Sequence, residues 1–574
     1  MLMKKKIFFI AISLITFSAI SKAQTFVPFV QTINNPNRWV DSVFKKMTRN
    51  EKVAQLFMVR AHSNLGKKYA DSVGLVIKKE HLGGVVFFQG GPNRMAPIVN
   101  QYQANSKIPL MIAMDGEWGL GMRLDSTVAY PYQMTLGAIQ DNGLIYKMGQ
   151  EVAKDFKRLG MQINFAPVID VNNNPRNPVI NYRSFGENKY NVAQKGIAYM
   201  KGMQESGLFT TTKHFPGHGD TDVDSHFDLP QLNFTTGRLD SLEMYPFKQA
   251  FTEDLIGVMI AHMNIPALDA TPNLPSTLSK PIVTDILKEK LGFKGLVFSD
   301  AMEMKGVIKY FPNGEADVRA LIAGMDVIEL SENTGRSIKL IRKSIRQKRL
   351  SWINIDEKVK KILAAKYWMG LNRVDSVRTE NLVPDLNRPE SYQLIQKLTD
   401  AAITVVKGAD QLPIRNDFVR KTAILSVGEN LPTVFGEMIK KSNPKNQLFI
   451  IPKDISIKEM VAVKAELQNF DQVVLAIYDT RKRPTSELDY STDLKLFIAD
   501  LARKNCISVV FANPYTVAGL PGLENSKSVL IGYQNSKEME KSAAKVILGS
   551  LKATGKLPVT INAFFKYGDG AQMK

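Results

Sequence analysis

The chain has one cysteine, Cys506, in 574 residues, so it forms no intramolecular disulfide. Cys506 lies in an apolar, strand-like run and is expected to serve as a small buried hydrophobe. After residue 20 no apolar run is long enough to span a bilayer. There is no low-complexity tract and no internal repeat. The formal charge is +20, yet no basic stretch interleaves with aromatics and no nucleic-acid-binding motif is present, so nucleic acid is not expected as a partner. The thinly spread positive excess implies at most weak attraction to an acidic cell envelope. Histidine is also scarce. The chain has six, and four of them (His214, His218, His226 and His262) fall between residues 214 and 262.

What is present begins with a leader. Lys4, Lys5 and Lys6 precede a short apolar run, Ile7 to Ile20, and Ser21-Lys22-Ala23 offers a small-x-small cleavage site. Residues 1–23 therefore read as a secretory signal peptide, and the mature protein is expected to be exported without an integral membrane segment. Export without disulfides fits a bacterial periplasm or exterior. About 550 residues remain, too many for one core, and two domains are expected.

Eight short apolar runs precede residue 335: 55–60, 83–89, 109–115, 161–171, 210–215, 257–263, 295–300 and 326–331. Amphipathic stretches separate them, such as Asp141–Leu159 with Ile145, Met148, Val152 and Phe156 on one face. Thr48-Arg49-Asn50-Glu51 is a capping box that opens the helix before the first run. Eight strands alternating with helices predict a (β/α)8 TIM-like barrel over residues 24–371, with an open doubly wound sheet as the alternative. Residues 372–394 read as a linker. A second alternating set over 395–565 predicts a smaller α/β sandwich domain with a mainly parallel sheet, followed by a tail, 566–574.

Polar residues end the apolar runs. Asp115 and Glu117 follow the third, Lys213-His214 lie in the fifth, and His262, Asp300 and Glu329 close the sixth, seventh and eighth. Barrel enzymes collect catalytic groups at the C-terminal ends of their strands. The densest segment is Lys213-His-Phe-Pro-Gly-His-Gly-Asp-Thr-Asp-Val-Asp-Ser-His226. His214 and His218 have the spacing of helical zinc ligands, but Pro216, Gly217 and Gly219 forbid a helix. Asp220, Asp222 and Asp224 mimic a calcium loop whose required glycine and glutamate are here Ser225 and Gln231. No metal and no cofactor are therefore expected. Asp224 and His226, two apart, suit an acid–base pair in which the carboxylate orients and charges the imidazole. Asp300 reads either as a helix cap before Ala301-Met302-Glu303 or as a nucleophile at the catalytic rim.

The long loop, Asp224-Ser225-His226 and Ser299-Asp300-Ala301-Met302 together resemble glycoside hydrolase family 3. They look most like its bacterial β-N-acetylhexosaminidase branch, which removes N-acetylglucosamine from cell-wall fragments. The resemblance runs from about residue 37 to 565. It implies that Asp300 attacks the anomeric carbon, that His226 protonates the leaving oxygen and then activates water, and that Asp224 is the partner of His226. It implies sugar binding by Asp115, Arg123, Arg183, Lys213 and His214. Asp115-Gly116-Glu117-Trp118-Gly119 departs from the Gln-Glu-Gly-Gly usual after the aspartate. The implied activity is retaining, exo-acting release of non-reducing terminal N-acetylglucosamine from peptidoglycan fragments or related glycans. The rivals are a family 3 β-glucosidase or β-xylosidase using Glu487 as acid/base, and a catalytically inactive sugar-binding module.

Overall fold

A computed structural model of the chain describes residues 26–224, 228–414, 419–503 and 505–571. The proposed leader and His226 lie outside the described residues. Among the described residues no helix is long and apolar enough to cross a membrane.

The N-terminal half is a ring of parallel strands. They are β1 (Phe57–Ala61), β2 (Gly84–Phe87), β3 (Met111–Met114), β4 (Ile163–Asn164), β5 (Phe209–Thr210), β6 (Thr212–Phe215), β7 (Gly257–Ile260), β8 (Leu296–Ser299) and β9 (Ile328–Glu329). Their order is β5-β4-β3-β2-β1-β9 in one sheet and β6-β7-β8 in the other. β5 and β6 are one strand position interrupted at Thr211, and a Phe298–Val327 bridge joins β8 to β9. The eight strand positions thus close into a barrel, which decides against the open sheet. All eight predicted runs carry a strand. The fourth is only two residues long, because Pro167 has no N–H to continue the ladder past Phe165. The chain rejoins the ring by a Val168–Lys213 bridge.

Local signals explain the intervening elements. Thr48 caps the helix Arg49–Ala54 reciprocally with Glu51, and Asp141 caps Asn142–Arg158, which buries Ile145, Met148, Val152 and Phe156. Inside the ring, Phe165 and Phe209 pack on Phe298 with centroids 5.6 and 6.1 Å apart.

The second unit is a six-stranded sheet: β10 (Thr404–Lys407), β11 (Thr422–Val427), β12 (Gln447–Ile451), β13 (Gln472–Tyr478), β14 (Cys506–Phe511) and β15 (Ser528–Ile531). Its order is β10-β15-β14-β13-β11-β12, and only the β10–β15 pairing is antiparallel. Cys506 is fully buried there. The segment read as a linker is built into the fold. Helix Leu382–Leu386 buries both end leucines, Arg158 holds Asp385 at 2.8 Å, and helix Pro389–Ala402 runs on into the second unit. The tail is also docked, with Ala571 N–H donating to the Val405 carbonyl at 2.8 Å.

The second unit braces one loop of the barrel. Asn513 donates to Asn181 at 2.5 Å and Asn172 to the Tyr515 hydroxyl at 3.0 Å. Gln534 accepts from Tyr132 N–H and the Thr135 hydroxyl. Asn181 begins the short 3-10 turn that carries Arg183, so this packing reaches the barrel mouth.

Candidate active site

Asp115 stands one residue beyond β3 and accepts from Lys213 Nζ at 2.6 Å and Arg123 Nη2 at 2.7 Å. Lys213 also reaches Glu117 at 3.0 Å, and Glu117 takes a two-pronged hold from Arg183 at 2.6 and 2.9 Å. The five groups form one alternating network of charge. Burial would raise the carboxyls of Asp115 and Glu117. The cations outweigh it, holding Asp115 well below the usual range and Glu117 at about 2. Glu117 and Asp115 raise Arg183 in return, against its burial. The substituted residues around Trp118 leave Arg123 within reach of Asp115 all the same.

Lys213 and His214 lie in β6, and the Lys213–His214 and Phe215–Pro216 peptide bonds are cis. The His214 N–H and ring both turn to Asp170, with Nδ1 at 2.8 Å from Oδ2. Asp170 also accepts from the backbone N–H of His218 at 2.8 Å. A carboxylate on Nδ1 fixes the tautomer and leaves Nε2 of His214 for a ligand. Burial of Asp170 is overcome by His214, His218 and these N–H donors, so its carboxyl sits below the ordinary range. Burial and His214 push His218 down to about 4 despite Asp170, so its ring is neutral at pH 7.

Asp170 carries this side of the site, and sequence reasoning missed it. It sits inside an apolar run, and its partners are 44 and 48 residues away. The glycines of the loop have steric reasons. Gly217 has φ of +137°, and a Cβ on Gly219 would lie 1.9 Å from the Val171 carbonyl oxygen. The other aspartates of the cluster are spoken for: Asp220 by Arg238 at 2.5 Å and Asp222 by Asn174 at 2.6 Å. The Asp224 carbonyl accepts from Asp228 N–H at 3.2 Å. The pairing of Asp224 with His226 falls on a residue outside the described set.

Asp300 follows β8, and its N–H is tied to the Ile260 carbonyl at 3.0 Å. It caps no helix. Its carboxylate accepts from the adjacent Ala301 N–H at 2.7 Å, and the next helix begins only at Lys305. Burial raises this carboxyl, but His262, His214, the Ala301 N–H and Lys213 together hold it below the usual range. His262 ends its strand facing Asp300's neighbour: Nε2 donates to the Ala301 carbonyl at 3.0 Å, and Nδ1 lies 2.8 Å from the Thr277 hydroxyl. Hence His262 positions the Asp300 segment.

The structure brings Asp115, Arg123, Arg183, Lys213, His214 and Asp300 to the C-terminal mouth of one barrel. The alternating cations and carboxylates offer donors and acceptors for a polyol. Asp300, ionised with a single hydrogen-bond donor among the described residues, is equipped to act as a nucleophile.

Residues 48–365 match the glycosyl hydrolase family 3 N-terminal domain, and the chain belongs to that family. Over 546 residues it is 27% identical to β-hexosaminidase A of Pseudoalteromonas piscicida, covering 85% of this chain and 90% of that one. A Cellulomonas fimi protein named β-N-acetylglucosaminidase/β-glucosidase is 26% identical over 377 residues, 64% of this chain and 66% of its own. The solved family 3 β-N-acetylglucosaminidase of Paenibacillus sp. str. FPU-7 superposes with a TM-score of 0.75 at 28% identity, over 90% of this chain and 99% of that one.

Proposed function

We propose that this family 3 member is a retaining, exo-acting β-N-acetylglucosaminidase that releases terminal N-acetylglucosamine from peptidoglycan fragments or related glycans. The observation that carries the reading is the under-coordinated Asp300 carboxylate beside the Asp115–Lys213–Glu117–Arg183 network. The network grips the hydroxyls of the non-reducing sugar, with Arg123 and His214 adding donors. Asp300 attacks the anomeric carbon and displaces the aglycone as the His226 imidazolium gives its proton to the leaving oxygen. His226, now neutral, takes a proton from water, which attacks the glycosyl-enzyme and frees Asp300. Asp224 steadies the charged imidazole. A histidine suits this task near neutral pH, because its reference pKa of about 6.5 needs little adjustment. The leader points to export, so the substrate is met outside the cytoplasm.

One observation favours a second reading. The loop that holds Glu487 docks on the barrel, with Ser486 donating to the Pro175 carbonyl and Asn181 donating to Ser486 at 2.9 Å. A β-glucosidase taking its acid/base from the second domain would place a glutamate this way. Chromogenic N-acetylglucosaminide and glucoside, assayed in phosphate-free buffer with wild type and Glu487→Gln, separate the two. The reading expects preference for the N-acetylglucosaminide and Glu487→Gln within about twofold of wild type. Preference for the glucoside with a crippled Glu487→Gln would install the second reading, and turnover of neither would leave a sugar-binding module.

A further inference from the structure

Glu329 is a carboxylate of the barrel mouth that has no hydrogen-bond partner among the described residues. It ends β9 and is 3% exposed. Its backbone is pinned on both sides: the N–H donates to the Ser299 hydroxyl at 2.9 Å, the carbonyl accepts from Met302 N–H at 2.9 Å, and it pairs in register with Met58 of β1. That hold leaves the side chain at the catalytic end of the ring, between the strands of Asp300 and Arg60. Oε2 is buried with no hydrogen-bond partner, and among the described residues the carboxyl makes no hydrogen bond at all.

The surrounding charges do not serve it. Lys213 is committed to Asp115 and Glu117, and Arg60 pairs with Glu303 while lying 4.0 Å over the Phe88 ring. Burial and the negative charges of Asp115 and Asp300 push the Glu329 carboxyl well above the usual range, against Lys213 and Arg60. Arg123 Nε, beside Asp115, is likewise buried with no hydrogen-bond partner among the described residues. Buried polar groups are satisfied in the great majority of structures, so two such orphans at one barrel mouth call for a ligand that supplies what the described residues withhold.

We propose that Glu329 is a substrate-recognition residue whose carboxyl hydrogen-bonds a hydroxyl of the sugar seated between Asp115 and Asp300. This inference rests on the glycosidase reading of the same pocket. Low exposure is no bar, because Lys213 and His214 at the same mouth are only 2% and 5% exposed.

The test uses whichever aryl glycoside the wild-type enzyme turns over, so a failure on N-acetylglucosaminides would revise the substrate and leave this test standing. Kinetics are compared for the parent glycoside and its monodeoxy analogues with wild type, Glu329→Gln and Glu329→Met. Glu329→Met should lose about 10- to 100-fold in kcat/KM on the parent. On the one analogue lacking the contacted hydroxyl it should fall within about threefold of wild type, because that contact is already gone. Glu329→Gln, which keeps a donor and an acceptor, should stay within about fivefold. An unchanged Glu329→Met, or an equal loss on every analogue, overturns the proposal. A crystal structure of the wild-type enzyme with an iminosugar decides it whatever the variants do. A Glu329 oxygen within about 3.2 Å of an inhibitor hydroxyl supports the assignment, and none within about 4 Å overturns it.

Discussion

One carboxylate stands just before β9 and another ends it, and the protein treats the two in opposite ways. Asp326, on the N-terminal side, is met by Lys361, Lys288 and Lys358 at 2.9, 3.2 and 3.8 Å, which outweigh its burial and hold its carboxyl far below the ordinary range. Glu329, three residues on, has no hydrogen-bond partner among the described residues. The contrast extends around the rim. Asp115, Glu117 and Asp170 are each satisfied by two or more donors, whereas Asp300 has one. Groups that hold the fold or present a binding surface are saturated within the protein. The proposed nucleophile and the unpartnered Glu329 are left short, at some cost in stability. Side chains on the saturated side should therefore trade in stability and binding, and those on the unsaturated side in turnover.

The largest expected effect lies on the unsaturated side. Asp300→Asn should reduce turnover by about 10⁴-fold or more, since it removes the nucleophile. Its melting temperature should match or exceed that of wild type, because little holds the carboxylate now. A clear loss of stability would instead place Asp300 among the structural groups.

Next comes the acid/base. His226→Ala should slow hydrolysis of glycosides with poor leaving groups by about 10²–10⁴-fold and of activated aryl glycosides much less, with partial rescue by azide. Asp224→Asn, which withdraws a negative charge from the imidazole, should cost about 10²–10³-fold and shift the alkaline limb of the pH–rate profile down. Equal losses for both leaving groups, or an unmoved limb, would remove the pair from the mechanism.

On the saturated side, Asp170→Asn should loosen His214 and His218 together. The expected result is a kcat/KM about 10- to 100-fold lower, carried mostly by KM, and a lower melting temperature. A pure kcat effect with intact stability would move Asp170 to the reacting side.

Asp326→Asn should have the smallest effect on activity, within about twofold, while costing about 3–5 kcal/mol of stability by taking the carboxylate from buried Lys358 and half-buried Lys288 and Lys361. Its pH signature follows from linkage. The folded-state pKa of Asp326 is depressed, so its stabilisation is present above the unfolded value of about 3.9 and is lost as pH falls through the folded value. Wild type should lose stability steeply below about pH 4, and Asp326→Asn less steeply. Chemical denaturation across pH measures both.

The saturated and unsaturated groups were not equally legible in the sequence. The strands were, because their apolar runs are short, bounded by turn residues and ended by polar groups. Asp115, Lys213, His214 and Asp300 were visible for that reason, whereas Arg123 and Arg183 were indicated only by the family resemblance. Asp170 was not, because it lies within an apolar run and its partners come from a distant strand and loop. The helices in 382–402 were missed because Pro384 and Pro389 read as linker, whereas Pro389 opens its helix at a position where proline is tolerated. Nothing local marks Glu329 as unpartnered, since partnering is set by which strands close the ring.

The most direct test of the central claim is covalent trapping. The wild-type enzyme is incubated with an activated 5-fluoro N-acetylglucosaminide, digested, and its labelled peptide sequenced by mass spectrometry. The account predicts one sugar per chain on the peptide containing Asp300, and none on Asp300→Asn. A label on any other carboxylate, or a labelled Asp300→Asn, would contradict it.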